Sequence, residues 1–296
     1  MDQVLRTPDE CFEGIPDFPY EPRHVEVDGL RMAWVEDGPA DGPVVLCLHG
    51  EPTWSFLYRS MLPVFAAAGL RAVAPDLVGF GRSDKPTDPE AYSYAAHVAW
   101  VAGFVDALGL TDLTLFLQDW GGLLGLRFAA ERPDDVQRLV LANTVLPEGS
   151  SPSEGFDFWR VFSQEVDPFD SGSLVQQASH RTLSDAEVAA YNAPFPEASY
   201  QVAARRFPLL VPVTSDDPAV PANRAAWSVL EQWTKPCLTL WAPNDPVLGN
   251  QQAVFLDRIP GTSGLTHQTF EAASHFVQED AGPELARATV DLVAAT

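Results

Sequence analysis

An aspartate stands where one apolar run ends and a glycine-rich run begins. The segment LTLFLQDWGGLLG, residues 113–125, reads as a β-strand, a tight turn and a helix, with Asp119 at the turn. Such an elbow holds its central side chain out at the top of the sheet, and Gly121 lets the helix pack closely behind it. Leu117 stands where the first glycine of a GxSxG elbow would be. A carboxylate held in this way can act as a nucleophile, but an aspartate here could also serve only as a helix cap.

Two later residues could complete a set of nucleophile, acid and histidine. Asp245 follows an apolar run in LWAPNDPVLG, where an acid can orient an imidazole, although aspartate before proline is also a common turn residue. Among six histidines, only His275, in FEAASHFVQED, combines a late position with an apolar loop setting. The order Asp119, Asp245, His275 is the one expected of an α/β-hydrolase fold. We therefore predict that these three residues are catalytic.

A third segment, CLHGEPTWS at residues 47–55, ends a strand in His-Gly and opens into a loop. Backbone N–H groups of such a loop can stabilise an oxyanion beside the elbow. We predict the amides of Glu51 and Trp120 as these donors. His49 comes too early in the chain for the base and is expected to be a hydrogen-bonded structural residue.

The elements that must position these residues follow a strand and helix rhythm. His24 to Val27 and Met32 to Glu36 flank the turn dipeptide Asp28-Gly29, which predicts an antiparallel hairpin. Short apolar runs then alternate with helical spacing, which is typical of a mostly parallel central sheet with helices on both faces. The later predicted strands are Val44 to Leu48, Arg71 to Ala74, Leu113 to Leu117, Leu139 to Asn143, Cys237 to Trp241 and Gln268 to Glu271.

The rhythm breaks after Pro147. Residues 147–227, here called the cap segment, are predicted to form a helical cap inserted between two parts of an α/β-hydrolase core, residues 1–146 and 228–296. A cap placed there would cover the carboxyl edge of the sheet, where open α/β sheets bind ligands. The predicted helices are Gly155 to Gln164, Ser171 to Ser179 and Ser184 to Tyr191, the last with Glu187 completing a capping pattern, and Asn223 to Trp233, which leads back into the core.

Composition narrows the classes of partner. The 41 acidic and 18 basic side chains give a formal net charge of −23, which repels nucleic acid and anionic lipid, so neither is an expected partner. Cys11, Cys47 and Cys237 form no CxxC pair and predict neither a disulfide framework nor a zinc site. No apolar run reaches the roughly 18 residues of a membrane helix, and the first 20 residues lack a signal-peptide pattern. We expect a cytoplasmic, monomeric protein without cofactor or metal.

With these segments in place, the chain resembles the haloalkane dehalogenases over almost its full length. The motifs HGEPTWSFLYR, PDLVGFGRSDKP, QDWGG, NAPFPEASYQ and NDPVLG carry the resemblance, and QDWGG with a cap tryptophan is its selective part. The resemblance implies that Trp120 and Trp159, in GFDFWRVF, direct indole N–H groups at a leaving halide, and that Phe156 lines the same pocket. Other subfamilies carry an asparagine halide donor where this chain has Glu51, which favours the two-tryptophan arrangement.

The resemblance implies hydrolysis of small haloalkanes through an ester on Asp119, with water consumed and alcohol, halide and a proton released. Two alternatives stay open. An epoxide hydrolase shares the aspartate elbow but needs cap tyrosines as acids, and Tyr191 and Tyr200 are interpreted as structural. A non-catalytic binding protein of the same fold would be expected to have a broken triad. A fluoroacetate-type enzyme would need arginines beside the elbow, where none precedes Arg127, and Asp119 excludes a serine esterase.

Overall fold

The computed structural model describes residues 3–296. Within this range the strands are β1 (Val4–Leu5), β2 (Arg23–Val27), β3 (Leu30–Asp37), β4 (Val44–Leu48), β5 (Arg71–Pro75), β6 (Lys85–Pro86), β7 (Leu113–Gln118), β8 (Val136–Ala142), β9 (Cys237–Trp241) and β10 (Gln268–Thr269). The α-helices are α1 (Leu62–Ala67), α2 (Tyr94–Leu108), α3 (Trp120–Glu131), α4 (Glu154–Glu165), α5 (Ser171–Gln177), α6 (Asp185–Asn192), α7 (Val202–Leu210), α8 (Val220–Leu230), α9 (Gln252–Arg258) and α10 (Val277–Ala295). None of the helices in this range is both long and apolar enough to cross a bilayer.

Eight of these strands form one twisted sheet in the order β10-β9-β8-β7-β4-β5-β3-β2. The pairs β2–β3 and β3–β5 are antiparallel, and the other neighbours are parallel. Asp28 and Gly29 both adopt positive φ, 51° and 77°, as a two-residue hairpin turn requires. The predicted hairpin and the mostly parallel sheet are therefore confirmed.

Alternation along the central strands divides the interior into two apolar cores. On β4, Leu46 and Leu48 face a core shared with α2, α3 and α8, whereas Val45 and Cys47 face a second core shared with α1 and α10. Because successive side chains of a strand point to opposite faces, both faces of the sheet need a helical cover. This confirms helices on both faces and places the carboxyl ends of β4, β7, β8 and β9 side by side.

Between β8 and β9 the chain forms α4 to α8 and no strand among the described residues. Ser184 and Glu187 make the predicted reciprocal capping box at the start of α6. The helix expected at Asn223 to Trp233 begins three residues earlier, because Pro221 lies in its first turn, where proline is preorganised for a helix. α7 contains Pro208 in its interior and was absent from the prediction.

Candidate active site

The elbow at Asp119 is built by a strained turn and a close backbone approach. Asp119 has φ 49° and ψ −127°, and its N–H donates to the Asn143 carbonyl at 3.0 Å. A side chain at Gly121 would put its Cβ 1.8 Å from the Leu48 carbonyl oxygen, so only glycine lets α3 start here. The Asp119 side chain makes no capping bond to α3. The helix-cap interpretation of this residue is therefore wrong.

The loop after β4 meets the Asp119 carboxylate from the other side. The Glu51 N–H donates to Asp119 Oδ1 at 2.8 Å. The Trp120 N–H also stabilises the charged form of this carboxylate. His49 takes the structural role expected of it, because its Nδ1 bonds the Gly50 carbonyl at 2.9 Å and its Nε2 accepts the Leu77 N–H at 3.0 Å. The two predicted amides are thus directed at one carboxylate.

Asp245 and His275 lie beside this carboxylate. His275 Nδ1 is 2.9 Å from Asp245 Oδ2, and His275 Nε2 is 3.7 Å from Asp119 Oδ2. Asp245 is itself held in place, since its Oδ1 accepts the Val247 N–H at 2.7 Å and its Oδ2 accepts an Asn143 amide hydrogen at 2.9 Å. The imidazole therefore bridges two carboxylates, with Nε2 turned towards Asp119.

The charges of this arrangement shift every titratable group in it. Burial alone would lower the pKa of His275, but the charge and hydrogen bond of Asp245, together with Asp119, raise it to about 9. Burial raises the pKa of Asp119, and His275 and the two backbone N–H groups only partly offset this. The pKa of Asp245 is lowered despite its burial, because His275, the Val247 N–H and Asn143 all stabilise the charged form. The imidazolium is thus favoured while both carboxylates are charged.

A mainly apolar cavity lies over the Asp119 carboxylate. Trp120, Trp159 and Phe156 line it, and α5, α7 and the loops after β9 and β10 complete the wall. Its polar and charged lining residues are Glu51, Asp119 and His275, and no lysine, arginine or tyrosine is among them. Such a cavity suits a small, uncharged and largely apolar ligand.

Trp120 and Trp159 differ from three other tryptophans whose indole groups have a structural role. The indole N–H groups of Trp54, Trp227 and Trp241 donate to backbone carbonyls at 3.0, 2.8 and 3.1 Å, which is the ordinary structural use of a buried indole. Trp120 and Trp159 instead line the cavity. An indole N–H is a donor without acceptor capacity, so a pair of them in an apolar cavity suits an anion.

All the residues proposed for the site from sequence converge on this cavity or its rear wall, and the residues needed by the alternatives do not. Tyr191 is buried and donates to the Glu279 carboxylate, and Tyr200 does not line the cavity. Arg127 pairs with Glu131 and Asn223 outside the cavity. No group of three or more His, Cys, Asp or Glu side chains within residues 3–296 could hold a metal ion.

Three supporting residues escaped the sequence reasoning. Asn143 links Asp245 to the end of β9 by donating to the Ala242 carbonyl at 2.8 Å. Gln118 donates to the His275 carbonyl at 3.0 Å. The Asp280 carboxylate accepts the N–H groups of Ser274 and His180, each at 2.9 Å, and so joins the loop that carries His275 to the cap segment. Gln118 lies in the motif QDWGG beside Asp119, and Asp280 lies in SHFVQED a few residues after His275. Their closeness in sequence to two predicted catalytic residues was the signal that could have identified them.

Comparison with known proteins agrees with this geometry. A family model described as alpha/beta hydrolase fold matches residues 43–282. The chain is similar to a haloalkane dehalogenase of Psychrobacter cryohalolentis, at 47% identity over 98% of each chain. It is also similar to a haloalkane dehalogenase of Mycobacterium marinum, at 49% identity over 96% of this chain and 97% of that protein.

Solved structures of haloalkane dehalogenases are also similar to this chain. The fold is similar to the tetrameric structure of haloalkane dehalogenase DpaA from Paraglaciecola agarilytica NO2, with a TM-score of 0.91 and 36% identity over 99% of both chains. It is also similar to haloalkane dehalogenase DbeA from Bradyrhizobium elkani, with a TM-score of 0.80 and 28% identity over 93% of this chain and 99% of that chain.

Proposed function

Because the chain belongs to the haloalkane dehalogenase family of α/β hydrolases, we propose that Asp119 is the nucleophile of its carbon–halide hydrolysis. The protein is a hydrolase acting on carbon–halide bonds, and what remains to be assigned is which residue performs which step. The single observation that carries the assignment is the position of the Asp119 carboxylate, between the Glu51 N–H and the His275 imidazole under an apolar cavity.

In the first step, Asp119 Oδ2 attacks the carbon that bears the halogen. A C–O bond forms as the C–X bond breaks, and the halide leaves with the bonding electron pair. The Trp120 and Trp159 indole N–H groups stabilise the charge that develops on the halide in a mainly apolar cavity, where such donors are strongest. Phe156 supplies apolar contact for the alkyl chain. The product of this step is an alkyl ester on Asp119.

In the second step, water attacks the carboxyl carbon of this ester while His275 Nε2 accepts the water proton. The oxyanion forms on Oδ1, which already accepts the Glu51 N–H at 2.8 Å, and the Trp120 amide is its second donor. Asp245 keeps Nε2 turned towards the ester and stabilises the imidazolium. Collapse of the intermediate expels the alcohol, which takes its proton from His275, and one further proton leaves with the halide.

Ester formation also adjusts the base. Asp119 is one of the charges that raise the pKa of His275 to about 9. Once Asp119 is alkylated that charge is lost, so the pKa of His275 falls towards the range of a neutral base. The same imidazole is therefore favoured as a cation before attack and as a base after it.

The test of these roles measures halide release from 1,2-dibromoethane and 1-chlorobutane by the wild type and by Asp119→Asn. We expect turnover by the wild type and none by the variant. Activity on an epoxide, with none on either haloalkane, would overturn the assignment. The role of Trp159 as the second halide donor is tested by the quenching of tryptophan fluorescence by bromide. Quenching that is unchanged in Trp159→Phe would contradict this role.

Two broader expectations accompany these roles. All residues assigned here come from one chain, which supports a functional monomer of 32.2 kDa, although DpaA is tetrameric. Light scattering coupled to gel filtration tests this, and a mass four times larger would contradict it. The three cysteines are unpaired, which suits the reducing cytoplasm that we propose as the location.

A further inference from the structure

The Glu51 side chain is a buried carboxyl group inside the cavity wall, and the mechanism above uses only its backbone N–H. The residue is 4% exposed, and its Oε1 has no hydrogen-bond partner. The Trp159 side chain lines the same cavity and stabilises the charged form of this carboxyl group. A buried oxygen without a partner costs free energy, and it costs far more when the group is charged.

The charges around Glu51 leave it without a counterion. The Asp119 charge acts directly on the Glu51 carboxyl group. The cation that lines the same cavity is the His275 imidazolium, which is itself bound to Asp245. The single imidazolium is therefore shared by two carboxylates, through contacts of 3.7 and 2.9 Å. The residues of α4 that line the cavity, Phe156 and Trp159, are uncharged, and no lysine or arginine lines it.

One of two neighbouring carboxyl groups in such a cavity must carry a proton, because like charges cannot both be stabilised there. Asp119 accepts the Glu51 N–H, is further stabilised by the Trp120 N–H, and faces the imidazole. Glu51 has one indole neighbour and an unpaired oxygen. The better stabilised group keeps the charge, so the proton belongs on Glu51.

We propose that the Glu51 side chain is a positioning residue that works as a neutral carboxylic acid, orienting the Trp159 indole, and that loss of its proton weakens halide binding. This inference rests on the proposed function, since it takes Asp119 as the charged nucleophile and Trp159 as a halide donor. Ionised Glu51 would hold the indole N–H as a strong acceptor and would add a second negative charge beside the halide. In agreement, burial and the Asp119 charge raise the pKa of Glu51 well above its usual value, against the opposing effect of Trp159.

The first experiment measures folding stability and needs no turnover. Glu51→Gln and the wild type are unfolded in urea between pH 5 and 9, with the exposed Glu197→Gln as matched control. A neutral Glu51 in the folded state ionises on unfolding, so the wild type loses stability relative to Glu51→Gln as pH rises. The ratio of their unfolding constants changes by about tenfold per pH unit above the unfolded pKa of roughly 4.3. A ratio that stays constant with pH would show an ionised Glu51 and overturn the proposal.

The second experiment measures the bromide dissociation constant by tryptophan fluorescence between pH 6 and 10. It uses the His275→Gln background, because His275 also titrates in this range. With Glu51 present, bromide binding should weaken about tenfold per pH unit once the carboxyl group ionises, and adding Glu51→Gln should make the profile flat. Parallel profiles would refute the link to halide. Failure of either experiment is distinct from failure of the proposed function, which the Asp119→Asn turnover assay tests separately.

Discussion

Gly50 lies directly against the Asp119 side chain, and Gly50→Ala should displace the nucleophile without altering its chemistry. A Cβ at this position would lie 2.1 Å from Asp119 Oδ1 and 2.6 Å from its Cγ. The backbone of Gly50 is not in the left-handed region, so the substitution brings a steric conflict and no conformational strain. The perturbation is therefore one added methyl group against the carboxylate.

Relief of this contact requires the Asp119 carboxylate to move by about 1 Å, a displacement that typically lowers a reaction rate about 100-fold. This corresponds to about 2.7 kcal/mol of transition-state stabilisation. Overpacking by one methyl group lowers stability by about 1–3 kcal/mol, which leaves most of a typical domain's 5–15 kcal/mol. We therefore expect a folded protein with a strongly reduced kcat.

The assay is initial-rate halide release from 1,2-dibromoethane, with the thermal midpoint measured in parallel. Gly103→Ala is the matched control. Gly103 lies on α2, its Cβ would lie 2.5 Å from Val27 Cγ1 of β2, and neither residue lines the cavity. The control should keep the wild-type kcat. A Gly50→Ala enzyme with a kcat within a few fold of wild type would refute the assignment of this tight contact to nucleophile positioning.

Three further predictions follow from the charges. Asp245→Asn removes the charge and hydrogen bond that hold His275, so ester hydrolysis should slow by about 10²–10⁴-fold. Stopped-flow halide detection should then show a burst of about one equivalent of halide, and steady turnover at the wild-type rate would contradict this prediction. The fold raises the pKa of His275 from 6.5 to about 9, so the protonated imidazole stabilises the folded protein by about 3 kcal/mol below pH 6.5, and this contribution is lost as pH rises through 9. The unfolding free energies of His275→Gln and the wild type, measured in urea, should therefore converge above pH 9. A difference that does not change with pH would refute this prediction. Arg59 bonds Glu279 at 2.6 Å and Glu187 at 2.8 Å in a buried cluster, so Arg59→Ala should lower unfolding free energy by about 3–5 kcal/mol, and a loss below 1 kcal/mol by urea unfolding would be inconsistent.

The proximity of Asp119, Asp245 and His275 could be predicted because each of them follows a strand end with a distinct turn. Asp119 follows a fully buried strand, and Asp245 and His275 lie in loops after late apolar runs. Parallel strands bring such loops to one edge, so the order of residues along the chain was enough to predict their proximity. The hairpin at Asp28-Gly29 could also be predicted, because its turn dipeptide and flanking strands are adjacent in the sequence.

Other elements depend on tertiary packing and left no such signal. α7 carries Pro208, a residue that normally ends a helix, and its side chain packs at the cavity wall. β1 and β6 pair over only two residues each, which is too short for any alternation to appear. The predicted strand Gln268 to Glu271 has only its first two residues in the sheet.

The site residues that escaped prediction act across long sequence separations. Asn143 reaches Asp245 over 102 positions, and nothing in either local sequence indicates the contact. The role of the Glu51 side chain depends on its burial and on the number of charges around it, which a sequence does not give. Polar supports of this kind become visible only when the cavity and its hydrogen bonds are known.

The most direct test of covalent catalysis by Asp119 is to stop the reaction after its first step. His275→Gln is mixed with 1-chlorobutane, chloride is measured, and the protein is digested for mass spectrometry. The mechanism predicts one equivalent of chloride and one butyl group on the peptide that contains Asp119. Sustained chloride release without an adduct, or a butyl group on another residue, would contradict it.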